Sequence, residues 1–251
     1  MANLKDLKNR ITSVKNTRKI TKAMQMVAAA KLRRAQEAAE MSRPYTERFN
    51  AVMASLAASV GDSDSAPKLL SGTGKDDVHL LVVMTAERGL CGGFNANIAK
   101  KARAHARDLL NAGKTVKILT VGKKGRDQMK RDYAEYFVGH VDLTEVKRVG
   151  YTDAQGIAKD VLTRFDNGEF DVATIFFSEF VNVVSQIPTA KQIIPATFEK
   201  DEAAEGADTL FDYEPSEEQI LADLLPRGVA TAISERLLEQ TRGFADLENN
   251  D

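Results

Sequence analysis

From Asn3 to Ser59 the chain contains no glycine, and Pro44 is the one helix breaker in a stretch dominated by Ala, Lys, Arg, Met and Glu. Residues of this kind lose little rotamer freedom in a helix, so the segment predicts a single long helix. At 1.5 Å per residue it would reach roughly 80 Å, far beyond an ordinary globular helix. Leu4, Leu7, Ile11 and Val14 follow a coiled-coil-like 3-4-3 spacing. Strict heptads would then place Arg18, Thr21 and Gln25 on the seam, so the frame breaks there. A shifted stripe resumes at Ile20, Met24, Val27, Leu32 and Ala35. A stripe this long needs a partner helix or a protein sleeve, because a small domain cannot cover it.

The same segment concentrates charge. Residues 1–35 hold ten of the 35 Lys+Arg and one of the 36 Asp+Glu, a net +9. The remainder, with 25 cations and 35 acids, carries −10. An acidic partner follows: nucleic acid, an anionic membrane or an acidic protein surface. A basic DNA-reading helix would account for the charge but not for the apolar stripe or the Ala28-Ala29-Ala30 run. With 43% hydrophobic residues, the 251-residue chain can build a core of one or two domains. One cysteine, Cys91, excludes an intrachain disulfide framework. No apolar run reaches about 18 residues and no secretory h-region opens the chain, so the expectation is a soluble intracellular protein.

Beyond the helix (1–60) and a Gly61–Pro67 breaker within a 61–76 linker, strands and helices alternate in a 77–200 domain. Strands are expected at His79–Thr85, Val116–Val121, Tyr136–Val141 and Asp171–Phe177, with two more, Val181–Pro188 and Gln192–Phe198, on either side of Pro188. Helices are expected at Asn95–Asn111, Lys124–Tyr133 and Thr152–Phe165. The pattern predicts an α/β fold with a largely parallel sheet. An acidic loop (201–215) leads to a C-terminal helical segment (216–251). There Ser216 and Gln219 are spaced as a capping box, Leu224-Leu225-Pro226 ends a short helix, and Val229–Gln240 forms a last amphipathic stretch before a polar tail.

No constellation supplies catalysis. The turn Glu87-Arg88-Gly89-Leu90-Cys91-Gly92-Gly93 follows a strand and precedes a helix, where phosphates often bind. It is neither a P-loop nor a GxGxxG, so it reads first as a tight turn, with a small nucleotide-binding enzyme as the rival reading. Cys91 reads as a partly buried, inert thiol. His79, His105 and His140 are scattered without metal-ligand spacing. No catalytic, cofactor or metal residues are expected.

Two strings carry a family resemblance: Ile20-Thr21-Lys22-Ala23-Met24-Gln25-Met26-Val27-Ala28-Ala29-Ala30-Lys31-Leu32 and Arg88-Gly89-Leu90-Cys91-Gly92-Gly93-Phe94-Asn95. Both resemble γ subunits of F-type ATP synthases, with weaker matches at Leu7–Ile11, Gly122–Gly125 and Leu224–Arg227. The resemblance implies a non-catalytic rotor shaft inside a ring of α and β subunits. It also implies an α/β foot touching the ε subunit and the membrane c-ring, with neither nucleic acid bound nor the bilayer entered. The implied place is the cytoplasmic face of a bacterial inner membrane, ahead of a mitochondrial matrix or chloroplast. Lys19, Lys22, Met24, Met26 and Lys31 are the implied contacts with the β-subunit acidic loop and the ring. Arg88, Gly89, Cys91, Gly92 and Gly93 form the implied foot turn. After Arg227 the family usually has an aromatic or large residue where this chain has Gly228. Val229–Gln240 is expected to be too short to accompany the first helix, which leaves a truncated C-terminus, an exposed stripe and a γ relative without torque as an alternative.

Overall fold

The computed structural model describes residues 3–60, 66–89, 91–146, 149–182, 185–198 and 216–250. The glycine-free stretch is one helix, α1 (Leu4–Val60), about 85 Å long. It runs through Pro44, whose missing N–H leaves one helical bond unmade. Two hydroxyls bond backbone carbonyls beside it: Thr46 Oγ1 donates to the Ser42 carbonyl at 3.2 Å and Ser42 Oγ to that of Ala39 at 3.0 Å. The acidic 201–215 segment lies outside the described residues, as do most of the Gly61–Pro67 breaker and Leu90.

A four-residue helix, α2 (Lys68–Ser71), occupies part of the span read as linker. Then come β1 (Val78–Met84), α3 (Phe94–Asn111), β2 (Thr115–Val121), α4 (Lys123–Tyr133), β3 (Phe137–Val141), α5 (Tyr151–Asp166), β4 (Val172–Phe180) and β5 (Gln186–Ile194). The sheet order is β3-β2-β1-β4-β5, parallel except for the antiparallel β4–β5 pair. Parallel strands are covered on both faces, so they read as apolar runs rather than alternations. In β1, Leu80, Val82 and Met84 join α5 in one core cluster, while Leu81 and Val83 join α3 and Met129 of α4 in another.

The two strands expected around Pro188 are one, β5, with Pro188 inside it opposite Ser178. β5 is an edge strand, where a residue without N–H can sit with its missing donor facing outward. Val181 lies in the connection before it.

The C-terminal expectation is corrected more strongly. No short helix ends at Pro226, and no tail begins after Gln240: α6 runs unbroken from Glu217 to Asn250. The Gln219 N–H does donate to Ser216 Oγ at 3.3 Å, as the capping pattern predicts. An interior proline costs a helix about 3 kcal/mol, but here packing on both sides offsets it. Before Pro226, Leu221 and Leu225 are buried with Met53, Leu56 and Val60 of α1. After it, Val229, Ala230, Ile233 and Leu237 are buried against α5 and the sheet. Thus α6 is the spine that joins α1 to the sheet. Gly228 explains itself the same way: a Cβ there would stand 3.3 Å from Phe49 of α1, so the ring supplies the bulk that the helix omits. Gly228 faces Phe49 while Leu221 and Leu225 face Met53–Val60, so the two helices run antiparallel.

Candidate functional site

α1 changes character along its length. From Leu4 to Val27 no described side chain is buried, and Leu7, Ile11, Ile20 and Val27 are among the large apolar residues left exposed. The first buried position is Ala28, then Ala35, Thr46 and the Met53–Val60 group. The 33 residues from Ala28 to Val60 match the 34 of α6 in length, so α6 accompanies the lower half of α1 and leaves the upper half bare.

The five contact residues expected here fall on two sides of the helix. Lys19, Lys22 and Met26 are spaced by three and four and share one exposed side. Met24 and Lys31 lie in line with Ala28 and Ala35, on the side that α6 covers lower down. Met24 is 42% exposed and Lys31 half-buried. Of the Ala28–Ala30 run, only Ala28 is buried. The tip therefore presents a basic side and a separate apolar line.

The foot turn sits at the carboxyl ends of the parallel strands, between β1 and α3. There Arg88, Gly89, Gly92 and Gly93 are exposed, with Gly92 at φ 51°, and Cys91 is buried. Two residues that the sequence did not single out hold this turn. Asn95 is buried, its Oδ1 accepting the Ala86 N–H at 2.9 Å while Nδ2 donates to the Arg88 carbonyl at 3.2 Å and to Cys91 Sγ at 3.1 Å. The Glu87 carboxylate accepts the N–H groups of Lys123 at 3.0 Å and Leu143 at 2.7 Å, and the Thr144 hydroxyl at 3.3 Å. One side chain so ties together the loops that follow β1, β2 and β3.

The turn is thus a joint, and the neighbouring start of α4 is not a free phosphate cradle. A helix N-terminus attracts anions through its free N–H groups. At α4 those groups are already taken: Lys123 N–H by Glu87, Lys124 N–H by the Ala86 carbonyl, and Gly125 N–H by Thr85 Oγ1. Gly122, at φ 88°, and Gly125 permit that approach, since a Cβ at Gly122 would stand 2.0 Å from the Thr85 carbonyl oxygen. At α3 the space beside Phe94 is filled by Gly243 of α6, whose carbonyl accepts from Gln186 Nε2 at 3.0 Å. Beside the start of α3, then, the chain's own last helix packs against Phe94 and Gln186.

The α6–β4 contact also carries an unbalanced charge cluster. Arg236 lies 5.1 Å over the Phe177 ring and bonds Glu239 at 3.0 Å, with Glu235 3.4 Å away. Burial pushes the Glu239 carboxyl above its ordinary range; Arg236 opposes that shift, while Glu235 and Glu179 reinforce it. Elsewhere, burial and neighbouring His79 lower His105. Among the described residues no group of three His, Cys, Asp or Glu is placed to hold a metal ion, and no helix is long and apolar enough to cross a membrane.

A family profile described as ATP synthase matches residues 3–243. The ATP synthase gamma chain of Roseobacter denitrificans is 80% identical over 239 residues, spanning 95% of this chain and 82% of that protein. The chain belongs to the ATP synthase gamma chain family. The gamma chains of Ruegeria sp. (strain TM1040) and Jannaschia sp. are 78% and 69% identical, each over 95% of this chain and 82% of their own length. The gamma-chain fold extends to distant structures. A chain from the central stalk and c-ring of Tetrahymena thermophila mitochondrial ATP synthase superposes with a TM-score of 0.66 at 22% identity, covering 92% of this chain and 96% of that one. A chain from the Euglena gracilis mitochondrial ATP synthase gives 0.59 at 18%, covering 97% and 79%.

Proposed function

We propose that this chain, the gamma subunit of an ATP synthase, works as the non-catalytic rotor of the central stalk. The observation that carries the reading is the bare upper half of α1: 24 residues, rich in both lysine and exposed apolar side chains, standing clear of the foot that supports them. A surface of that kind fits a surrounding protein sleeve.

In this reading the tip turns within a ring of α and β subunits. Lys19, Lys22 and Met26 face acidic ring surfaces, and Met24 and Lys31 lie on the opposite, apolar line. The foot, braced by Glu87 and Asn95, meets the ε subunit and the membrane c-ring at the cytoplasmic face of a bacterial inner membrane. Ion flow turns the foot. The off-axis pair of helices then presents a different face to each β subunit in turn, favouring a different nucleotide-binding state in each. Such coupling requires contacts that differ in free energy between those states.

Co-expression with the matching α and β subunits tests the reading. The expected product is a complex with one copy of this chain that hydrolyses ATP; a folded chain that never joins the ring rejects it. Met24→Lys is expected to reduce ion-driven synthesis while leaving the fold intact, and unchanged synthesis would remove Met24 from the contact set.

A further inference from the structure

At the amino ends of the strands, on the face that α3 covers, a polar ring is buried without the partners it needs. His79 alternates with Leu81 and Val83 on the α3 side of β1. It is 7% exposed. Its Nδ1 meets no hydrogen-bond partner, and its Nε2 lies 3.0 Å from Asp76 Oδ1 without forming an aligned hydrogen bond. Asp76 is already engaged. Its other oxygen holds Lys114 Nζ at 2.9 Å, and the same ammonium donates to the Asp76 carbonyl. Buried polar atoms are nearly always paired, so an unpaired one asks for an explanation.

A second histidine comes from α3. His105 is half-buried, its ring tilted against Phe176 of β4 with centroids 5.4 Å apart. Burial foremost, then a charge on His79, make a proton on His105 less favourable; Asp108 opposes this and Lys101 adds to it. Asp108 is itself shared with Arg107 at 3.7 Å. The other packed elements bring no charge to the pair among the described residues. On this side of the sheet β2 places Val116 and Ile118, and β5 places Ala190. Lys117 points to the opposite face, where it meets Glu169 at 3.7 Å. From α4, the Tyr133 hydroxyl is occupied with the Arg103 carbonyl.

With both rings neutral, the pair is stable beneath α3. A first proton has Asp76 beside it, though Lys114 already shares that carboxylate. A second has no free carboxylate inside, and water reaches it fully only if His105 leaves Phe176. We propose that His79 and His105 form an acid-operated latch, which holds the second half of α3 on the sheet while both rings are neutral and releases it when both are charged. Histidine is the side chain that ordinarily changes charge in this range. The release reaches the other end of the helix too. α3 starts at the foot turn, where Asn95 holds Arg88 and Cys91, so a loosened α3 leaves that turn on a softer base. The foot can thereby register acidification around it, whatever partners it meets.

The test is hydrogen–deuterium exchange on the purified ATP synthase between pH 7.5 and 5.5, read by mass spectrometry as protection factors corrected for intrinsic exchange. Opening frees His105 to bind a proton at its ordinary value of 6.5, so opening is favoured as pH falls below that value. Residues 103–111 should lose protection several-fold across this range, while β1 and β4 keep theirs. His105→Gln should abolish the loss. His79→Gln should reduce it, since the burial of His105 remains. A merely structural role would instead lower protection equally at every pH. No loss at pH 5.5, an equal loss in His105→Gln, or a loss unchanged in His79→Gln overturns the latch. If His79→Gln does not assemble, His105→Gln decides alone.

Discussion

The base and the tip of α1 are parts of one helix with opposite fates. At the base, Met53, Leu56 and Val60 are sealed under Leu221 and Leu225. At the tip, Leu7, Ile11 and Ile20 are of similar size and hydrophobicity, yet each keeps nearly half or more of its surface in solvent. Between them the buried positions shrink to Thr46, Ala35 and Ala28. Apolar patterning therefore has two readers in this molecule. The base is read by the chain's own last helix and contributes to folding. Among the described residues nothing covers the tip, so its stripe is open to a partner.

Four experiments press on that contrast. The largest effect belongs to Leu56→Ala, which deletes a fully buried side chain at the α1–α6 base and should cost about 2–5 kcal/mol in urea unfolding. A loss below 1 kcal/mol would mean that the base is not the anchor. Gly228→Leu should come next: it drives a side chain into Phe49, and overpacking of about 1–3 kcal/mol outweighs the roughly 1 kcal/mol gained by removing a helical glycine. Unfolding curves for the variant read that difference directly.

The third concerns pH. The folded carboxyl of Glu239 is raised, so the native state holds the proton more tightly than the unfolded chain does. Stability from this group is therefore present at acidic pH and is lost as pH rises through the raised value. Thermal unfolding across pH 4.5–8 should show wild type gaining on Glu239→Gln as the solution is acidified; parallel curves would remove Glu239 from the α6–β4 contact. The smallest effect is expected at the tip. Leu7→Ala with Ile11→Ala should shift unfolding of the isolated chain by less than about 0.5 kcal/mol while weakening co-purification with the α and β subunits. A shift as large as that of Leu56→Ala would erase the distinction between tip and base.

How much of this was legible in the sequence depends on the range of the interaction concerned. The run His79–Thr85 reads as a strand because a parallel strand covered on both faces needs nothing but apolar residues. The long helix is legible because its composition is uniform. Pro226 misled because it is a local stop signal, whereas α6 continues on the strength of contacts with Phe49, Phe94 and the sheet, far away in the chain. Pro188 misled for a related reason: only the finished sheet decides which strand is an edge. At the foot turn the glycines were visible as a motif. Glu87 was not, since its partners at Lys123 and Leu143 lie 36 and 56 residues on, and an isolated glutamate gives no sign of them. Asn95 stood within a recognised string, but its role as acceptor from Ala86 and donor to Arg88 and Cys91 belongs to the folded turn.

The pairing of the first helix with the last also has a cost in time. During synthesis α1 emerges first, and its covering residues Leu221 and Leu225 follow only after roughly 160 more have been added. At about 5–20 residues per second, Met53, Leu56 and Val60 wait on the order of 10–30 seconds without their partner. The β1–α5 layers can form in that interval from nearer neighbours, but closing the helix pair depends on contacts of very high sequence separation and should come late. The nascent chain thus passes through a stage in which the foot is largely built and the whole of α1 is sticky, a stage at which a chaperone or an already folded ring subunit would have the most to protect.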